Sequence, residues 1–220
     1  MPLTPPKSQS NRVLAPEGTH IARVTKLIEL GTQESEWMGE KKRLYKIWLD
    51  FELLEETHSF KEGEEAKPFV VGSKYTFSMG SKANLRKIVE GIIGKTLLDH
   101  EAEGFDIEQI LNEPCLINVK RTVKGDKTYT NIETTAPLMK GMVAKEAYNP
   151  IQKLTFEQWS KDLFESLPNF LKEQITTSPE YDTYVLNKMS DEDKDYIQKV
   201  RGAFNSKVDE SSIDVSEIPF

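Results

Sequence analysis

The sequence predicts a mainly β fold with added helices, and three observations carry that expectation. Five runs between residues 18 and 135 are rich in β-formers or alternate at period two; one helical stripe falls between the third and the fourth; beyond Pro150 the apolar period changes to 3.6. Together they describe a five-stranded Greek-key barrel, then a small helical region, then a flexible acidic tail. With 37% apolar and 30% charged residues, the chain can bury a core over most of its 220 positions.

Residues 1–16, with Pro2, Pro5, Pro6 and Pro16, read as a mobile arm. Order starts at Gly18. His20 to Leu30 is a β-rich first strand that Gly31-Thr-Gln33 ends. Arg43 to Leu54 is a second, with Tyr45, Ile47, Leu49, Phe51 and Leu53 on one face. Pro68 to Met79 is a third, with Phe69, Val71, Tyr75 and Phe77 inward. Ser81 is placed to cap a helix whose stripe is Leu85, Ile88, Val89, Ile92 and Ile93, and Gly94 is placed to stop it. An acidic connection leads to Cys115–Lys124, which Gly125-Asp126 joins to Lys127–Thr135 as a hairpin.

Three strands, a helix and two strands, within residues 17–150, are the order of the OB-fold. That barrel takes oligonucleotides across its second and third strands, flanked by the loops after strands one and four. In residues 151–204, Thr155-Phe-Glu-Gln158 has capping-box form, followed by Phe156, Trp159, Leu163 and Leu167. Ser178-Pro179 and Ser190-Asp191 read as two more helix starts, with stripes Tyr181, Tyr184, Val185 and Tyr196, Ile197, Val200, Phe204. The helical region is expected to pack on the barrel or on a second copy, which leaves a homo-oligomer open.

The formal charge of -7 first argues against nucleic acid. Its distribution reverses that reading. Residues 1–150 hold 21 Lys and Arg against 22 Asp and Glu, whereas 151–220 hold 8 against 14. The barrel is near neutral, and residues 205–220 form an acidic tail closing in Asp214-Val-Ser-Glu217-Ile218-Pro219-Phe220.

That ending resembles the tail tip of bacterial single-stranded DNA-binding proteins, which present acids and then Ile-Pro-Phe to replication and repair partners. Asp214 and Glu217 match the acidic part, and Ile218, Pro219 and Phe220 the tip; here the acids are sparse. A ring, a fixed Pro φ and a terminal carboxylate ask a partner only for an apolar pocket beside an Arg or Lys. The front part, with Pro16-Glu-Gly-Thr-His20 and Ser81-x-x-Asn-Leu85, is similar to phage-encoded single-stranded DNA-binding proteins of the OB type. The resemblance implies coating of single-stranded DNA during phage replication or recombination, in the cytoplasm of the infected bacterium. It also implies recruitment of a polymerase, helicase, primase or exonuclease through the tip. The tail would compete with DNA for the groove, so that deleting 208–220 would tighten DNA binding and abolish recruitment.

Single strands are held by aromatic faces that stack on bases and by bases of the protein that follow phosphates. Alternation turns Lys46 and Trp48 outward on strand two, Gly72 and Lys74 on strand three, and Lys127 and Tyr129 on strand five. A loop after strand one would supply Trp37, Lys41, Lys42 and Arg43, and the last hairpin Lys120, Arg121 and Lys124.

Other chemistries find little support. Gly91-Ile-Ile-Gly94-Lys95-Thr96 lacks the first glycine of a phosphate loop, since Val89 stands there, and it ends a helix. His20, His58 and His100 lack paired ligand spacing, and Asp191-Glu192-Asp193 with Asp195 suits a helix first turn, so neither metal nor cofactor is expected. Cys115, the one cysteine, reads as core in a reducing compartment. No apolar run suits a membrane span, Met1-Pro-Leu-Thr-Pro-Pro6 lacks the charged-then-apolar pattern of a secretory signal, and no catalytic triad is seen, so an enzyme is the least supported class. Two alternatives remain: an OB-like adaptor that binds a replication or recombination protein rather than DNA, and a protein that anneals complementary strands.

Overall fold

The computed structural model describes residues 13–37, 40–61, 63–125 and 127–188, with positions 190, 194 and 197. The chain is mainly β: an antiparallel open sheet with short helices. Its strands are β1 (Gly18–Trp37), β2 (Glu40–His58), β3 (Lys67–Thr76), β4 (Pro114–Lys124) and β5 (Lys127–Ala136), in the order β3-β2-β1-β4-β5, and β6 (Gln152–Leu154) lies parallel to β1. No helix among the described residues is long and apolar enough to cross a membrane.

The inner face is the one alternation predicts. Ile47, Leu49, Phe51 and Leu53 of β2 meet Phe69, Val71 and Tyr75 of β3, Ala22, Val24 and Leu27 of β1, and Cys115, Ile117 and Val119 of β4. Tyr45 packs at the edge of this core. Phe77, expected inward, lies past the end of β3 and is exposed, its ring 5.8 Å from that of Tyr45. Burial pushes the Cys115 thiol up to about 12, helped by Glu113, which suits a packing residue.

Helix α1 (Asn84–Ile93) closes the core with Leu85, Ile88, Val89 and Ile92. Ser81 does not cap it. The N-cap is Ala83, whose side chain makes no cap bond, while Gly94 ends the helix at φ 67 with its N–H donated to Glu90. The acidic connection is structured, as α2 (Asp99–Glu103) and a 3-10 turn (Ile107–Ile110). Part of the predicted arm is held as well: Ala15 is buried, and Arg121 donates to the carbonyls of Leu14 and Ala15.

The larger departure concerns β1 and β2. They are 20 and 19 residues long and remain paired to Trp37 and Glu40. The expected loop after strand one is therefore a two-stranded ribbon. Irregularities at Val24/Lys26 and Glu29/Gly31 shift the side-chain register of β1, so that Leu27 faces the core while Ile28 and Leu30 face out.

The region after Pro150 covers that outer patch. Ser160, not Thr155, caps α3 (Lys161–Ser166); Thr155 accepts the Gln158 N–H within a turn. There follow α4 (Asn169–Thr176) and a π turn at Tyr181–Val185. Leu154, Phe156, Leu163, Phe164, Leu167, Leu171, Ile175, Tyr181, Val185 and Ile197 pack on Ile28 and Leu30, both wholly buried. Tyr184, expected in a stripe, is exposed. Each such aliphatic burial contributes about 1.5–3 kcal/mol, enough to dock a module whose helices are too short to stand alone. Tyr196, Val200 and Phe204 lie outside the described residues.

Polar contacts fix the docking. Burial raises the Glu180 carboxyl, yet the hydrogen bonds it accepts from Thr32 Oγ1 (2.6 Å) and Thr32 N (2.8 Å) outweigh this and leave its pKa lowered. Gly31, at φ 73, brings β1 so close that a Cβ there would meet Ser178 and Glu180 at 2.6–2.7 Å. Replacing Gly31 by Ala should cost about 2 kcal/mol or more from the left-handed φ and the clash together. Urea unfolding followed by tryptophan fluorescence measures it, and an unchanged midpoint would contradict this docking.

Candidate nucleic-acid interface

The outer side of β2 and β3 gathers three of the residues expected to meet DNA. Trp48 is in register with Lys74, and Lys46 with Thr76, so these side chains share one face. The sequence placed all three in solvent; the structure does not. Lys46 is only 5% exposed and donates to Thr76 Oγ1 at 2.7 Å. Trp48 is half-buried, because α4 lies over it and brings the Phe170 ring to 5.4 Å, edge to face. The indole N–H donates to Asp50 Oδ1 at 2.7 Å, which locks the ring's orientation.

Gly72 makes this arrangement possible. A Cβ there would lie 2.2 Å from the Trp48 ring, so the indole rests directly on the β3 backbone. The missing Cβ at Gly72 permits a close approach to the strand, and its occupant is Trp48.

Electrostatically the face brings the Lys46 and Lys74 ammonium groups close together. Burial and the neighbouring Lys46 bring the Lys74 ammonium down to about 8, and burial lowers Lys46 too. Lys74 donates to Gln174 Oε1 at 3.3 Å. Among the described residues no carboxylate lies within 4 Å of its Nζ. Asp50 is turned to Trp48 and, at 3.9 Å, to Lys26, and burial raises its pKa. Two half-desolvated ammonium groups beside two aromatic rings suit a ligand that carries both an anion and a flat face.

Phe170 is the member that sequence reasoning missed. It is 46% exposed on α4, one residue before Leu171 and one turn before Gln174. Leu171 and Ile175, spaced i and i+4 after Pro168, signal a buried stripe that leaves Phe170 at its border.

The remaining candidates fall into separate groups. Lys120, Lys124, Lys127 and Tyr129 share one face of the β4–β5 hairpin, through the registers Lys120↔Asn131, Thr122↔Tyr129 and Lys124↔Lys127. Lys120 pairs with Glu133 at 2.9 Å, while Lys124 and Lys127 stand opposite one another as like charges. Arg121 points to the other face and is spent on the Leu14 and Ala15 carbonyls, so it leaves the candidate set. Lys41, Lys42 and Arg43 are exposed near the ribbon tip, opposite Glu36, Ser35 and Glu34. Trp37 ends β1, with its side chain outside the described set, as are Asp214, Glu217, Ile218, Pro219 and Phe220 of the tail.

A shallow hollow lined by Phe77, Met79, Arg86, Asp99 and Phe105 lies past the end of β3. Its cation is saturated: Arg86 binds Glu90, Asp99 and the Met79 and Leu97 carbonyls. Among the described residues no cluster could hold a metal. No protein-family model matches the chain, and no curated protein is similar to it.

The strain at Lys74 is measurable without a ligand. The unfolded chain keeps the Lys74 proton to about 10.4, whereas the fold releases it near 8, so Lys74 makes stability rise with pH across that window. Lys74→Met should remove that rise and stabilise the neutral-pH protein by up to about 1 kcal/mol. Urea titrations at pH 7 and 9.5 test both, and a less stable variant at pH 7 would contradict the desolvation.

Proposed function

We propose that this chain is a single-stranded DNA-binding protein of the OB type that coats DNA without strong sequence preference. The observation that carries the reading is the outer face of β2 and β3, where Lys46, Trp48 and Lys74 converge with Phe170 and Gln174. Rings stack on any base, and ammonium groups follow the phosphates. The strand order, α1 between β3 and β4, and the approach of β5 to β3 across the open edge agree with that barrel. The basic face of the β4–β5 hairpin supplies a second run of phosphate contacts, where an anion relieves the opposition of Lys124 and Lys127. By resemblance, the work belongs to phage replication or recombination, with the acidic Ile-Pro-Phe tail recruiting partner enzymes.

The cover formed by α4 favours one second reading, an adaptor whose β2–β3 face is filled by its own helix and whose partner is a protein.

Fluorescence titration of the full-length protein with oligo-dT separates the two. The DNA reading expects quenching, and affinity that falls with salt at a slope of about -0.7 per phosphate contact. Trp48→Ala should weaken binding by about 1–3 kcal/mol with little change in slope. Because Lys74 loses its proton near 8, affinity should fall from pH 7 to pH 9, and this fall should vanish in Lys74→Met. No binding at low salt would leave the adaptor.

A further inference from the structure

The ribbon formed by the ends of β1 and β2 extends beyond the strands that flank it. β3 stops at Thr76, opposite Lys46, with one last backbone bond from Phe77 N to Tyr45 O at 2.8 Å. β6 stops opposite Ile28. Among the described residues, no further strand lies beside Glu34–Trp37 on one edge or Glu40–Leu44 on the other. An antiparallel pair with two open edges presents unpaired N–H and C=O groups on both.

The charges on these edges are segregated by strand. Gln33-Glu34-Ser35-Glu36 on β1 is acidic, and Lys41-Lys42-Arg43 on β2 is basic, with Glu40 the one acid there. Glu34, Lys41, Lys42 and Arg43 are exposed. Lys42 pairs with Glu40 at 3.7 Å, within β2, which leaves the polarity between the strands intact.

This polarity selects how a second copy can approach. Pairing β2 with β2, or β1 with β1, would set like charges opposite one another and is repelled. Pairing β2 of one copy with β1 of the next sets Lys41, Lys42 and Arg43 against Glu34 and Glu36, and both open edges gain backbone partners. We propose that the ribbon is a self-association surface that joins copies of this chain head to tail, basic edge to acidic edge. Such a contact is heterologous, so each bound copy leaves one edge free for the next and copies add in a row. If the chain coats single-stranded DNA as proposed above, the row gives cooperative coating. The self-association itself does not depend on that reading.

The test uses full-length protein without DNA, in sedimentation velocity at low and high salt. The wild type should associate with rising concentration at low salt, beyond a dimer, and dissociate at high salt. Glu34→Lys with Glu36→Lys makes both edges basic, and Lys41→Glu with Arg43→Glu makes both edges acidic. Each double variant alone should associate at least about tenfold more weakly, and a 1:1 mixture of the two should regain association. Because Glu34 faces Arg43 and Glu36 faces Lys41 within the ribbon, the fourfold variant Glu34→Lys, Glu36→Lys, Lys41→Glu, Arg43→Glu, which keeps those pairs opposite in charge, should associate as the wild type does and separates an edge effect from loss of the ribbon. A wild type that stays monomeric at low salt overturns the proposal. So does a closed dimer indifferent to the variants, or a mixture that fails to associate.

Discussion

β1 is apolar on both faces along its middle and β2 on its inner face, and the rest of the molecule answers that constraint. Inward, Leu27, Ile47, Leu49 and Phe51 require a closed core, which β3, β4, β5 and α1 provide. Outward, Ile28 and Leu30 would leave a patch on the sheet that water cannot solvate at low cost. The chain solves the second problem with its own residues 152–188 and Ile197, and the helices there are too short to persist without that surface. The appended module is therefore the second wall of the sheet.

That wall decides what the outer face can do. It ends over Trp48 and leaves Phe170 half in solvent, Lys74 partly desolvated and Gln174 within reach of Lys74. A bare sheet would offer hydrated lysines and a mobile indole. Here the indole is pinned by Asp50 and Gly72, and the ammonium groups have lost part of their water before any ligand arrives. For the proposed ligand, much of the ordering cost of binding would thus be met during folding, at the expense of stability near Lys74.

The strands and their inner faces were legible because strict alternation in RLYKIWLDFELL and PFVVGSKYTF leaves one assignment of inward residues through Tyr75. The hairpin was legible from Gly125-Asp126. The outer cover was not, because a 3.6 period says that a helix is amphipathic and not where it docks. One sign stood in plain view. Ile21, Ala22, Val24, Leu27, Ile28 and Leu30 occupy both parities, as in a strand buried on two sides. The ribbon reads as a loop in the sequence because Gln33-Glu-Ser-Glu36 and Glu40-Lys-Lys-Arg43 are polar at every position. Polarity there reflects solvent on two sides of a strand pair rather than the absence of one. Trp48 shows how a correct direction led to a wrong environment: it does point away from the core, into a space that α4 fills.

The central claim is that the β2–β3 face and α4 together form the DNA site. Hydrogen–deuterium exchange of the full-length protein, with and without saturating oligo-dT, tests it most directly. The account predicts slowed exchange in residues 46–50, 70–76 and 169–176, with α4 remaining docked. Unchanged exchange in these segments, or faster exchange in α4 as the helix is expelled from the sheet, would contradict it.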